Sequence, residues 1–194
     1  MKTIRLAMTR AALFAVASSA FAQTAPSFDC TKAATSVEKL ICGDSELASL
    51  DDKLAGLYGA ALKKEPANQR APQREWLQQR NACASSSQIR QCIFESYQRR
   101  IAAVQIESVM LPAPKPVGFA CKGPDGVKPM SVAYYNDLDP AAALLTFDGN
   151  RVVMLVEPSG SGARYGAPGV EFWEHQGEAK FTWHGAQYTC KPVR

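Results

Sequence analysis

Leu111-Pro112-Ala113-Pro114-Lys115-Pro116-Val117 carries three prolines at alternate positions. Each proline fixes its own φ and offers no amide donor, so the segment is expected to run as a stiff, extended connector. The chain changes character across it. Upstream, apolar residues recur at three- and four-residue spacing; downstream, short β-branched and aromatic runs are punctuated by turn residues. The expected fold is α+β in two domains, with a disulfide-stapled helical domain over residues 23–107 and a small antiparallel β-barrel over 118–194. A Pro-rich linker over residues 108–117 joins them. Each unit has roughly 80 residues, a size at which one apolar core is marginal and disulfides contribute most.

On the helical side, Leu47, Leu50, Leu54, Leu57, Tyr58 and Ala61 form one apolar face, and Asp44 followed by Glu46 suits a capped start. The polar stretch Glu65 to Asn68, with Pro66, is expected to break that helix. A second run holds Trp76, Leu77 and Arg80, and a third holds Ile89, Ile93, Tyr97, Ile101 and Val104. The expectation is a helical hairpin or a three-helix arrangement, with Trp76 in the core and Arg80 in a surface pair. Downstream, five short strands are expected at 132–135, 143–147, 152–156, 170–173 and 180–183. Asp148-Gly149-Asn150, Ser159-Gly160-Ser161-Gly162, Pro168-Gly169 and His184-Gly185 read as turns between them. Strands this short at regular spacing close most readily into a barrel.

The N-terminus reads as an address rather than as part of the fold. Lys2, Arg5 and Arg10 precede an apolar run from Ala11 to Ala17, and Ala20-Phe21-Ala22 follows as a small-x-small site. Residues 1–22 are therefore expected to be a cleaved Sec signal peptide that delivers a periplasmic chain. No cysteine stands at that site to accept a lipid, and the mature chain is not expected to insert stably in a membrane. The full chain has a net charge of +4. Without the signal, 19 basic side chains face 18 acidic ones, and a balance of about +1 gives no footprint for nucleic acid.

All six cysteines, Cys30, Cys42, Cys83, Cys92, Cys121 and Cys190, lie beyond the signal, and an even count in an exported chain reads as three disulfides. The sequence alone does not choose the pairing. Because four cysteines precede the linker and two follow it, two bridges are expected among Cys30, Cys42, Cys83 and Cys92, and one from Cys121 to Cys190. No C-x-x-C pair exists, and His175 and His184 lie far from the cysteines, so no metal site and no cofactor are called for.

Catalytic groups are sparse. Glu171, Glu174 and Glu178 cluster near His175, yet strand alternation leaves them on mixed faces. Ser161 lies between glycines without the strand-turn-helix context of a nucleophile elbow. The chain is expected not to be an enzyme.

The segment Ser159-Gly160-Ser161-Gly162-Ala163-Arg164-Tyr165, followed by Trp173-Glu174-His175-Gln176-Gly177-Glu178-Ala179, resembles the MliC/PliC family of periplasmic c-type lysozyme inhibitors. That family pairs a Ser-Gly-x-x-Tyr loop with a Trp-x-Lys-Gly-x-Glu-Ala segment on an eight-stranded barrel closed by a terminal disulfide. The resemblance covers about residues 119–191. It implies a loop that enters the active-site cleft of c-type lysozyme, with the loop serine and the second motif's lysine engaging the catalytic carboxylates. Carried over, the lysozyme-binding residues are Ser161, Gly162, Arg164, Tyr165 and His175. His175 stands where the family has lysine. An imidazole carries charge only on the acid side of neutrality, so inhibition is expected to weaken as pH rises, or Arg164 to supply the cation.

Residues 27–104 resemble the LprI-type N-terminal domain through Phe28-Asp29-Cys30, Val37-Glu38-Lys39-Leu40-Ile41-Cys42, the Gln73 to Cys83 segment and Cys92 through Ile101. The resemblance leaves two roles for this domain, a spacer holding the barrel away from membrane or wall, or a direct binding unit. The whole chain then reads as a lysozyme inhibitor, with a non-inhibitory peptidoglycan-binding module as the alternative. The sequence is compatible with a homodimer as well as a monomer.

Overall fold

The computed structural model describes residues 25–108 and 110–193. The signal segment at 1–22 lies outside them. Four α-helices come first: α1 (Ser36–Gly43), α2 (Ser45–Lys64), α3 (Pro66–Ala82) and α4 (Ile89–Glu107). Eight strands follow: β1 (Val117–Gly123), β2 (Gly126–Tyr135), β3 (Ala142–Phe147), β4 (Asn150–Glu157), β5 (Ala163–Ala167), β6 (Val170–His175), β7 (Glu178–Trp183) and β8 (Ala186–Pro192). The strands are antiparallel in sequence order and form a closed barrel.

Local chemistry sets the helix ends. The Thr35 hydroxyl accepts from the Glu38 amide at 3.1 Å while Glu38 accepts from the Thr35 amide at 2.9 Å, a reciprocal cap that starts α1. Asp44 caps α2 by accepting from the amides of Glu46 and Leu47. The expected break at Glu65 to Asn68 narrows to Glu65 alone, because Pro66 occupies the first helical turn, where its missing amide costs no bond. The described residues hold four α-helices because α1, capped by Thr35 and Glu38, precedes the three runs read from the sequence. Val37, Ile41, Leu47, Leu54, Trp76, Ile93, Tyr97 and Val104 pack into one core.

Arg80 departs from its expected place in a surface pair. It is 5% exposed, lies 4.0 Å from Asp51, donates to the Tyr97 hydroxyl at 3.0 Å and sits over the Trp76 ring. Asp51 accepts from Tyr97 at 2.7 Å. A buried charge tolerates this environment because its partners satisfy it. Disulfide Cys30–Cys42 ties the segment before α1 to the end of α1, Cys83–Cys92 ties the end of α3 to the start of α4, and Cys121–Cys190 joins β1 to β8.

The barrel interior is lined by Phe119, Met130, Val132, Leu145, Phe147, Met154, Phe172 and Phe181. Each of the five strand runs read from the sequence lies within one of the eight strands. Strands β1, β5 and β8 escaped that reading because glycine, alanine and charged residues dilute their alternation.

The prolines do not hold the two units apart. Ala102 and Ile106 of α4 pack against Ala133, Tyr135, Ala142 and Leu155 on the outside of the barrel, with Leu111 and Leu144 beside them. Pro114 and Pro116 run along the groove between Ile106 and Leu144. The physical reason is that α4 is apolar on two sides, and the second side is buried only if the barrel covers it.

Two carboxylates tie the helical unit to pH. A hydrogen bond from the Arg90 guanidinium, helped by the Leu47 amide, holds Asp44 below its usual 3.8. The Thr35 and Ala34 amides hold Glu38 below 4.5. Depressed folded values mean that the stabilisation is present above the unfolded values and is lost as pH falls through the folded ones. Denaturant midpoints are therefore expected to stay flat down to about pH 5 and to fall below about pH 4. The variant Asp44→Asn is expected to show a shallower fall over the same range, measured by helical circular dichroism.

Candidate functional site

The chain from Pro158 to Gly162 links β4 to β5 at the barrel end where β6 turns into β7. Its shape is set by contacts to one atom. The Ser161 carbonyl accepts from the Ser159 hydroxyl at 2.6 Å and from the Trp173 indole N–H at 2.9 Å. The second bond ties the loop to β6. Gly162 follows with φ +71°, and a Cβ there would collide with the Glu174 carbonyl. Glycine is thus required twice, for the left-handed backbone and for the close approach. With its carbonyl anchored, Ser161 is solvent-exposed, and among the described residues its hydroxyl makes no hydrogen bond. A free hydroxyl on a pinned backbone can donate to an incoming acceptor with little ordering cost.

Beside the loop, Trp173 and His175 share the outer face of β6, two residues apart, with rings stacked at 5.8 Å and 18°. His175 is the last residue of β6, immediately before Gln176 and Gly177, which take φ +50° and +80°. Two left-handed residues in a two-residue connection make the tight hairpin that matches strand twist. His175 therefore sits on a rigid corner next to the loop.

Arg164 and Tyr165 belong to β5 rather than to the loop. Arg164 Nε lies 3.1 Å from Glu157, an ion pair whose angle falls short of a hydrogen bond, while its terminal nitrogen donates to Glu171 at 3.0 Å. Its charge is already matched by two carboxylates. Tyr165 is 4% exposed and its ring packs 5.7 Å from that of Tyr134. Burial raises its phenol pKa, and the nearby Glu174 carboxylate adds to the shift. Tyr134 donates to Glu174 at 2.7 Å, so that carboxylate is turned to the barrel end while Glu171 pairs on the outside.

Among the carried-over residues, the structure brings Ser161, Gly162 and His175 to one end of the barrel and gives Tyr165 to the core. Trp173, whose indole anchors the loop, was left out of the site by the residue-by-residue reading. Its signal was the intact tryptophan of the second motif, whose indole is the donor that fixes the first. Among the described residues, no group of histidine, cysteine, aspartate and glutamate could hold a metal ion.

A helical unit stapled by two disulfides is followed by a closed barrel with an anchored Ser-Gly loop. The profile of the family described as membrane-bound lysozyme-inhibitor of c-type lysozyme matches residues 119–189, and that of lysozyme inhibitor LprI matches residues 30–104. The chain is 42% identical over 166 residues to "Lipoprotein LprI" of Mycobacterium tuberculosis H37Rv and of Mycobacterium bovis, covering 85% of this chain and 83% of each relative. It belongs to the LprI family. Over 68 residues it is 38% identical to a membrane-bound lysozyme inhibitor of C-type lysozyme from Cupriavidus necator, covering 35% of this chain and 52% of that protein. No solved structure matches the chain.

The Gly162 contact yields a direct check. Gly162→Ala is expected to lower unfolding free energy by more than about 1 kcal/mol, because the new Cβ meets backbone at a positive φ. Gly160→Ala, where a Cβ meets nothing within 4 Å, serves as its control and is expected to be neutral in the same denaturation measurement.

Proposed function

We propose that the chain inhibits c-type lysozyme by seating the Pro158–Gly162 loop in the enzyme's active-site cleft. The observation that carries this reading is the Ser161 backbone, fixed by the Trp173 indole while the hydroxyl stays unpaired. A glycosidase of this kind works with two carboxylates across a cleft. A hydroxyl donor held rigidly between those carboxylates satisfies one of them and excludes the sugar. His175, stacked on Trp173 beside the loop, can offer the second carboxylate an N–H donor. Arg164 is less suited to that task, because leaving Glu157 and Glu171 would uncover both. Tyr165 supports the loop from within the core, and Gly162 gives it its turn.

The role is that of a binding protein rather than an enzyme. The inhibitor families matched by both domains support it. Relatives named as a lipoprotein and as membrane-bound support a cell-envelope location. Here all six cysteines are in disulfides, none remains for a lipid, and a soluble periplasmic form fits that pairing. Among the described residues, no helix is long and apolar enough to cross a membrane.

The test is inhibition of wall lysis by c-type lysozyme. Ser161→Ala is expected to weaken inhibition by roughly 10- to 100-fold, the range of a hydrogen bond to a charged group. His175→Ala is expected to weaken inhibition as well, and His175→Lys, which puts a fixed cation at the same corner, to retain it. Full inhibition by Ser161→Ala would rule out the loop as the inhibitory element.

A further inference from the structure

We infer that the cleft between α4 and the root of the β4–β5 loop is a second contact site for the same lysozyme, so that the enzyme rests on both domains at once. The inference builds on the loop reading and extends it to the helical domain. The cleft holds about 230 Å³. Gln91, Glu95, Gln98 and Arg99 of α4 form one wall, and Glu157 and Pro158, where the loop begins, form the other.

Four observations support it. The wall is fixed in place, because Ala102 and Ile106, further along the same helix, are buried against the barrel. The loop is short. Five residues going out and back put the tip three steps from either strand end, no more than roughly 11 Å above it at about 3.5 Å per residue. A globular enzyme that takes in the tip must therefore come down close to the root, where the cleft opens.

Area points the same way. A stable protein–protein interface uses about 800 Å² and 20–30 residues on each side. A five-residue loop supplies a small part of that, and the remainder must come from what flanks it. On one flank stand Trp173, His175 and the β6–β7 turn; on the other stands the α4 cleft.

The cleft's chemistry suits a protein rim. Leu155, on the outer face of β4 that packs against α4, and Pro140 give it an apolar edge. Gln91 donates to Glu95 at 2.8 Å, while among the described residues the Gln98 amide makes no side-chain hydrogen bond. Burial pulls the Arg99 pKa down, while Glu95 and Glu157 oppose that shift and favour its charge. Amides and a guanidinium above an apolar edge can meet the backbone carbonyls and side chains of an enzyme's cleft margin.

Calorimetric titration of the full mature chain into c-type lysozyme separates the two claims. Gln98→Trp fills the cleft, and the double variant Gln91→Ala/Gln98→Ala strips its polar wall. Both lie on the outer side of α4, and circular dichroism with a thermal melt verifies that each folds. The expectation is a loss of about tenfold or more in affinity for each, alongside the separate loss in Ser161→Ala. Affinities within about twofold of wild type for both α4 variants, with Ser161→Ala weakened, would overturn the α4 contact and leave the loop reading standing. Weakened α4 variants with an unaffected Ser161→Ala would support the α4 contact and reject the loop. No binding by the wild-type chain would overturn both.

Discussion

Strand β1 pairs with β8 from Phe119 opposite Pro192 to Lys122 opposite Thr189, and the Cys121–Cys190 disulfide joins the two strands at their middle. An open eight-stranded sheet would expose two edges and leave its inner aromatic face in water. Closure removes both edges and lets Phe119, Phe147, Phe172 and Phe181 fill one interior. It also gives β4, β5 and β6 a fixed stagger at the barrel end. The Trp173 indole can reach the Ser161 carbonyl, and Gly162 can touch the Glu174 backbone, because those three strands hold one register. The loop is rigid because the barrel beneath it cannot open.

A second constraint acts through α4. Ile93, Tyr97, Ile101 and Val104 face the helical core, while Ala102 and Ile106 face the barrel. One helix therefore belongs to two cores, and the orientation of the domains follows from burying both faces. The prolines of the linker line that interface rather than spacing it. The helical domain is held against the barrel near the root of the loop, which a simple spacer would not require.

The two-domain division was legible because three alternate prolines separate two different periodicities. The disulfide partition was legible from the placement of the cysteines, and Trp76 was legible as core. Other features lay below what pattern can carry. A proline beside polar residues looks like a break until it is seen in the first turn of α3, and β5 reads Ala-Arg-Tyr-Gly-Ala, with no alternation strong enough to mark a strand. Arg164 and Tyr165 were grouped with the loop by the motif that the resemblance carried over, and the hidden strand gave no signal against it. Their neighbours Glu157, Glu171 and Tyr134 lie close in space but 7 to 31 positions away in the chain. The burial of Arg80 likewise depends on Asp51 and Tyr97, which sequence spacing alone does not join to it.

What remains of the motif-based site is a small, firmly built element: an exposed serine hydroxyl on an anchored carbonyl, beside a histidine stacked on the anchoring tryptophan. In the proposed inhibition, such an element would bind by fitting a cleft that already exists in its partner. Its occupant should therefore compete with anything else that fills the same cleft. The most direct measurement is calorimetric binding of the mature chain to c-type lysozyme, with and without a saturating chito-oligosaccharide in the enzyme's cleft. The account predicts that the sugar abolishes or strongly weakens binding. Unchanged affinity in its presence would contradict insertion of the loop into the active site.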